Sequence, residues 1–287
     1  MTSTCWQISF FPRNNPDELF LEFLNSYFEV TAQNYSDDGQ DEYVGYTSSA
    51  FNEEEMRSAA LQMSVILPEY KISKLTSENW LKDYTIKFDS FEIADFCIYG
   101  IHQDIPPQTN KILLQIYAAT AFGSNHQTTQ SCINAISELY HQKFSPDNIL
   151  DIGTGSGILS LCAGKLWPNS KIFAGDIDEE SVVVTQNNAA TNNLSEQITA
   201  LHSDGYQNQH ITAQSPYQLI LSNILANPLI AFAPDLSNHL ASGGYCILSG
   251  FIDNQVSDVV SAHEKQGLKL IKLYSHDNWR AALMQKE

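Results

Sequence analysis

Basic side chains are scarce in this sequence. Against 33 aspartates and glutamates stand only 15 lysines and arginines, so the formal net charge is −18. A surface that acidic repels phosphate backbones, which argues against direct nucleic-acid binding and for attraction to a basic protein. On charge alone, a soluble, acidic cytoplasmic protein is the favoured reading. Cysteine is sparse as well. Cys5, Cys97, Cys132, Cys162 and Cys246 stand apart and form no C-x-x-C pair. Several lie inside apolar patterns, as expected of buried free thiols in a reducing compartment. No apolar stretch approaches the roughly 18 residues of a spanning helix. The start, MTSTCWQISFFPRNN, lacks the basic residues and long apolar core of a signal peptide. The expectation is therefore a cytoplasmic protein, away from membranes and with no metal centre, and a monomer.

What is present is enough for a real core: 287 residues, 43% of them hydrophobic. The first part alternates small elements. Trp6–Phe11 reads as a strand. Asn15 then reads as a helix cap, with Pro16 at the first helical position and Asp17 and Glu18 at the positive helix end. Leu19, Phe20, Phe23, Leu24, Tyr27 and Phe28 follow at helical spacing. Strands are expected near Glu29–Tyr35 and Glu42–Thr47, a second helix from Asn52 to Leu67, and a strand at Lys71–Leu75. This β-α-β-β-α-β order is the ferredoxin-like signature. The region holds no catalytic constellation, so recognition is its favoured role, with a structural appendage as the alternative.

Ser77–Phe88 suggests a helix with Trp80, Leu81 and Tyr84 on one face, and Phe91–Tyr99 a strand. IHQDIPPQTN is a break, because its two prolines continue neither element. From Lys111 onward strands and helices alternate. Strands are expected at Asn148–Ile152, Lys171–Asp176, Ile198–His202, Gln218–Ser222, Tyr245–Ser249, Leu268–Tyr274 and Arg280–Gln285. Helices are expected at Thr128–Tyr140, Ile158–Leu166, Glu179–Asn193, Pro228–His239 and Asn254–Gln266. Such alternation predicts a mainly parallel, doubly wound α/β sheet. The short SHDNW between the last two strands predicts that they pair antiparallel. The domain reading is 1–76 for the first module, 77–110 for a linker region and 111–287 for the α/β domain.

The segment NILDIGTGSGILSL, Asn148–Leu161, places Gly153, Gly155 and Gly157 in the loop after the first of these strands. In a doubly wound sheet, ligands bind beyond the carboxyl ends of the strands. A phosphate-gripping P-loop needs a lysine after its last glycine, and here Ile158 and Leu159 follow. A dinucleotide fingerprint, G-x-G-x-x-G, needs a sixth-position glycine where Ile158 stands. Asp176 ends the second strand, where a carboxylate accepts ribose hydroxyls; capping the next helix is the alternative. Asp178 is expected only to face solvent. Asp204, in HSDGYQ, is either an adenine-side residue or a turn aspartate before Gly205. Asn223 lies just past the fourth strand in LILSNILANPL. Ile224 and Leu225 replace the Pro-Pro-aromatic unit that sandwiches a planar base, so a flat nucleobase substrate is disfavoured.

D-x-G-x-G-x-G resembles motif I of the class I S-adenosyl-L-methionine methyltransferases. Over about the last 200 residues, and weakly over the whole chain, the sequence resembles the bacterial methyltransferases of ribosomal large-subunit protein eleven. The carriers are SENW (Ser77–Trp80), AFGSNHQTT (Ala121–Thr129), DIGTGSGIL, GDID, SNILANPL (Ser222–Leu229), APDLSNHLASGG (Ala233–Gly244) and LSG (Leu248–Gly250). NILAxPL following DxGxGSGIL is specific to few families. One departure is FGSNHQTT, a residue shorter than usual, with Asn125 where glycine is customary; asparagine tolerates left-handed backbone. His126 reads evenly as a lid contact or a capped surface residue.

The resemblance implies a seven-stranded class I methyltransferase sheet, Rossmann-like, with a small N-terminal ferredoxin-like α+β domain that holds the substrate. It implies S-adenosyl-L-methionine as cofactor, bound by Thr129, Gly153, Gly155, Asp176 and Asn223. Asn223 is also the candidate catalytic residue, orienting an amine through its carbonyl. The implied activity is methylation of lysines and the terminal amine of large-subunit protein eleven, a basic ribosomal protein. Alternatives are a lysine methyltransferase for another protein, a nicotinamide-dependent oxidoreductase, and a cofactor-binding scaffold without turnover.

Overall fold

The computed structural model describes residues 5–12, 16, 18–28, 30–34, 42–47, 51–63, 65–75, 90–101, 103, 106, 109–117 and 127–287. The chain divides into two compact units, Met1–Tyr84 and Thr85–Glu287.

In the first unit, strands β1 (Cys5–Phe11), β2 (Val30–Asn34), β3 (Glu42–Thr47) and β4 (Glu69–Leu75) form one sheet in the order β2-β3-β1-β4. All three neighbouring pairs are antiparallel. Helices α1 (Glu18–Tyr27) and α2 (Glu53–Gln62) supply the connections of a ferredoxin-like unit. Ile8 and Phe10 alternate along β1 and meet Phe20, Phe23 and Leu24 of α1 and Met56 and Ala60 of α2 in one core. Each such large buried side chain contributes about 1.5–3 kcal/mol. Asn52 caps α2, its side-chain oxygen accepting from the amides of Glu54 and Glu55 at 3.0 and 3.4 Å. The expected cap at Asn15, the expected helix at Ser77–Phe88 and the AFGSNH stretch (121–126) lie outside the described residues.

The second unit is built on seven strands: β8 (Asn148–Ile152), β9 (Lys171–Asp176), β10 (Ile198–His202), β11 (Tyr217–Asn223), β12 (Leu240–Ile252), β13 (Leu268–His276) and β14 (Trp279–Lys286). Their order is β10-β9-β8-β11-β12-β14-β13. The first five run parallel, and β14 is antiparallel to both its neighbours, as SHDNW predicts. Both sheet faces are covered. Ile149, Leu219, Leu221 and Ile247 point into a core with helices α3 (Gln127–His141), α4 (Ile158–Leu166) and α5 (Glu179–Thr191). Leu150, Ile220 and Leu248 point the other way, toward α6 (Gln209–Ala213), α7 (Ala226–Ala231), α8 (Ala233–His239) and α9 (Val256–Glu264). This two-sided burial explains why the strands read as nearly continuous apolar runs. Cys97, Cys132, Cys162 and Cys246 are buried free thiols, and burial pushes Cys132 up to about 12.

Several elements differ from the sequence expectation. Phe91–Tyr99 is a hairpin, β5 (Phe91–Ile93) and β6 (Phe96–Gly100), turning at Ala94 with φ +48° and no glycine or proline to announce it. A strand to which the sequence reading assigns no element, β7 (Ile112–Ile116), pairs parallel with β6. Phe96, Ile98, Leu114 and Ile116 join the core of α3 and α4, so residues 91–100, inside the segment read as linker, carry part of the second unit's packing. The expected helix Pro228–His239 is two helices joined at Phe232. Pro234 lies in the first turn of α8, where its missing N–H ends the preceding ladder. β12 extends well beyond Tyr245–Ser249, because Leu240 pairs with Tyr217 and Ile252 with Trp279 around the glycines.

Candidate active site

The strand order reverses at β8 and β11, and the loops after β8, β9, β10 and β11 open at one end of the sheet. After β8 the backbone turns sharply. Gly153, Gly155 and Gly157 take φ of +72°, +56° and +79°, a region that side chains with a Cβ avoid. Two of these glycines also allow close approach: a Cβ on Gly153 would lie 2.2 Å from Ile224 Cγ2, and one on Gly157 would lie 2.9 Å from Thr185. The turn is tied to β9, since the amides of Gly153 and Thr154 donate to the Gly175 carbonyl at 2.8 and 3.2 Å.

Beneath the loop sits Asp151, only 1% exposed. Its Oδ2 accepts from the hydroxyls of Thr154 at 2.9 Å and Ser160 at 2.7 Å. Burial pushes its pKa up to about 6, the Asp176 charge adds to the rise, and the two hydroxyls oppose it. Sequence reasoning saw Asp151 only as the first letter of the motif; hydroxyls three and nine positions later were the available signal.

Asp176 ends β9 and holds the loop from the other side. Its Oδ2 accepts from the Gly155 amide at 2.8 Å and its Oδ1 from the Asp178 amide at 3.0 Å. Each carboxylate oxygen can accept a further hydrogen bond. The helix-cap alternative for Asp176 does not apply, because Asp178 is the cap of α5. The Asp178 carboxylate accepts from the amides of Glu180 and Ser181 at 3.2 and 3.1 Å, which corrects its reading as a solvent-facing residue only. Asp204 is exposed in the turn after β10, where the Asp204 carbonyl accepts from the Gln207 amide at 3.2 Å and Gly205 takes φ +54°.

Asn223 ends β11, and its Nδ2 donates to the hydroxyl of Thr129 at 3.0 Å. Thr129 is buried in the first turn of α3. Two candidates far apart in sequence thus meet beside the glycine loop, and the Asn223 side-chain carbonyl has no partner among the described residues. Ile224 is wedged between two glycines. Its Cγ2 covers Gly153, and a Cβ on Gly250 would lie 2.0 Å from its carbonyl oxygen. This contact explains the LSG segment, which lies far from SNILANPL in sequence. Leu225, next in line, is 71% exposed. Among the described residues, no three His, Cys, Asp or Glu side chains are grouped as metal ligands would be.

An open sheet with this strand order, a glycine turn at the reversal point and an acidic residue ending the next strand define a class I methyltransferase. A family model described as "Ribosomal protein L11 methyltransferase (PrmA)" matches residues 23–287. A ribosomal protein L11 methyltransferase of Brucella suis (strain ATCC 23445 / NCTC 10510) is 32% identical over 266 residues, covering 88% of this chain and 92% of its own. The protein of that name from Rhodopseudomonas palustris (strain BisB5) is 34% identical over 216 residues, covering 75% of this chain and 72% of its own. The solved ribosomal protein L11 methylase of Lactobacillus delbrueckii subsp. bulgaricus superposes with a TM-score of 0.62 at 25% identity, over 70% of this chain and 98% of that one. The chain belongs to the ribosomal protein L11 methyltransferase (PrmA) family.

Proposed function

We propose that this chain transfers methyl groups from S-adenosyl-L-methionine to lysine amines and the terminal amine of ribosomal protein L11. The observation that carries this reading is the convergence of Gly153, Gly155, Asp176, Thr129 and Asn223 at one end of the second unit's sheet. The local chemistry fits the cofactor. The three positive-φ glycines leave a cradle that a Cβ would fill, and Asp176 keeps acceptor capacity for two ribose hydroxyls. Asp204 stands one strand further on, where an adenine would lie. Neither a P-loop lysine nor a sixth-position glycine is present, in keeping with a nucleoside ligand that lacks phosphate.

Bound there, S-adenosyl-L-methionine supplies a methyl carbon made electrophilic by its sulfonium. Asn223, steadied by Thr129, presents its side-chain carbonyl to the incoming amine and aligns the nitrogen for in-line attack. The exposed side chain of Leu225 gives the lysine stem an apolar neighbour and shields the amine from water. Asn223 cannot serve as a base, so the amine gives up its proton to water before it reacts. The first unit, with no catalytic constellation, serves as the substrate-recognition domain, residues 1–76. The second unit, Thr85–Glu287, is the catalytic domain; the hairpin at 91–100 belongs to it and shortens the linker read at 77–110. A net charge of −18 suits a basic protein substrate. Among the described residues, no helix is long and apolar enough to cross a membrane; the proposed setting is the cytoplasm.

The test is incubation of the protein with methyl-labelled S-adenosyl-L-methionine and unmethylated ribosomal proteins, with the labelled band identified by mass spectrometry. Label on protein L11 amines is expected. Label on a different protein would redirect the substrate assignment, and cofactor binding without any label would indicate a scaffold.

A further inference from the structure

Helix α5 does more than follow the acidic end of β9. Asn188 on this helix and Asn192, its C-cap four positions later, aim their side-chain amides at the end of β7 and the residue after it. The Oδ1 of Asn192 accepts from the Gln115 amide at 3.1 Å, and its Nδ2 donates to the Gln115 carbonyl at 2.7 Å. Asn188 repeats this on Tyr117: its Oδ1 accepts from the Tyr117 amide at 2.8 Å and its Nδ2 donates to the Tyr117 carbonyl at 3.0 Å. Gln115 and Tyr117 are two residues apart, so their backbone groups emerge on one strand edge. The two side chains thus satisfy the edge of β7 that does not pair with β6, as a further strand would.

Asn188 differs from Asn192 in one bond. Its Nδ2 also donates to the Ser156 carbonyl at 2.8 Å, inside the glycine loop. Asn188 is fully buried, and both protons of its Nδ2 and its acceptor oxygen are used. One turn earlier on the same helix, Thr185 donates to the Gly155 carbonyl at 3.0 Å. The second proton of the Asn192 Nδ2 goes instead to the Asn188 carbonyl, in the last turn of α5. The Tyr117 hydroxyl is buried and has no partner among the described residues, so hydrogen bonding anchors this strand end through its backbone alone.

We propose that Asn188 is a positioning residue of the methyl-donor site: one buried amide ties the end of β7 to the glycine loop and holds Gly155–Gly157 in the donor-binding geometry. The proposal rests on the S-adenosyl-L-methionine reading given above. It separates Asn188 from Asn192, which makes the same strand contacts without touching the loop.

The test compares the full-length chain with its Asn188→Ala and Asn192→Ala variants. Calorimetric Kd for S-adenosyl-L-methionine, KM and kcat are measured well below the unfolding temperature, and Tm is taken from thermal melts. Both variants should lower Tm. Asn188→Ala should raise Kd and KM about tenfold, the size of one lost buried hydrogen bond, and Asn192→Ala by less than about threefold. Equal rises in the two variants, or none in Asn188→Ala, overturn the proposal while leaving the donor reading intact. No binding by the unaltered chain overturns both. Should Asn188→Ala fail to fold, amide hydrogen exchange on the unaltered chain decides: the donor should slow exchange at Tyr117 more than at Gln115, and equal protection counts against the tie.

Discussion

The side-chain amide of Asn223 donates to the hydroxyl of Thr129 at 3.0 Å, joining the end of β11 to the first turn of α3. The bond uses the Asn223 amide and leaves its side-chain carbonyl oxygen without a partner among the described residues. Thr129→Val keeps the shape and removes the acceptor. It should lower kcat/KM about 5- to 10-fold, the equivalent of about 1 kcal/mol for a hydrogen bond. Asn223→Ala should cost more, and the double variant should be no worse than Asn223→Ala alone. A double-mutant cycle in steady-state kinetics checks this, and strictly additive losses would separate the two residues functionally.

Asp176 has two tasks, bracing the Gly155 amide and, by the proposed function, holding the ribose. Asp176→Ala removes both and should raise the Kd for S-adenosyl-L-methionine at least about 30-fold, as charge-assisted bonds are roughly twice as strong as neutral ones. Titration calorimetry gives the answer directly. Unchanged affinity would falsify the ribose assignment.

Gly153 is constrained twice, by φ +72° and by Ile224. Gly153→Ala should destabilise the protein by about 2–4 kcal/mol, part from the left-handed backbone and part from overlap with the Ile224 methyl. In an Ile224→Ala background the same substitution should cost less, because that methyl is gone. Urea unfolding of the four proteins measures the difference. An identical cost in both backgrounds would mean that the contact does not limit this position.

Asp151 sets a pH dependence. Burial raises its folded-state pKa to about 6, above the unfolded value near 3.8. The folded state therefore binds this proton more tightly than the unfolded chain does. Ionising the buried carboxylate penalises folding by up to about 3 kcal/mol above pH 6, and the penalty fades as pH falls toward 4. Compared with Asp151→Asn, the unaltered protein should gain stability between pH 6 and pH 4. Parallel Tm-against-pH curves would show that the carboxylate is not strained by burial.

With Asn223 unable to accept a proton, the chemical step needs an amine that is already neutral. Roughly one lysine in a few thousand is neutral at pH 7. Single-turnover rates should therefore rise about tenfold per pH unit from pH 7 toward the amine's own pKa. A flat single-turnover profile from pH 7 to 10 would point to a protein base instead.

Much of the architecture was readable in one dimension. The strands at Asn148–Ile152, Lys171–Asp176 and Ile198–His202 and the helix at Ile158–Leu166 stand where apolar runs and turn residues put them. Both signals are local, since periodicity and turn chemistry act within a few residues. The hairpin at Ala94 and the strand at Ile112–Ile116 escaped because neither carries a strong turn or alternation signal of its own. Their pairing depends on each other and on a core supplied by α3 and α4.

The sequence by itself determined the class of site: three glycines able to take positive φ, an acidic residue closing the next strand, and asparagine after the fourth. What it could not assign was which acid does what. Asp176 and Asp178 differ by two positions, yet one braces the loop and the other caps the helix, because a strand end and a helix start point their carboxylates differently. Nor could it join Asn223 to Thr129, Ile224 to Gly153 and Gly250, or Asn188 to Tyr117 and Ser156. Those contacts link segments that approach only when the sheet is assembled and both its faces are covered. Burial then makes these polar groups find their partners across the assembled sheet and leaves each close approach room only for glycine.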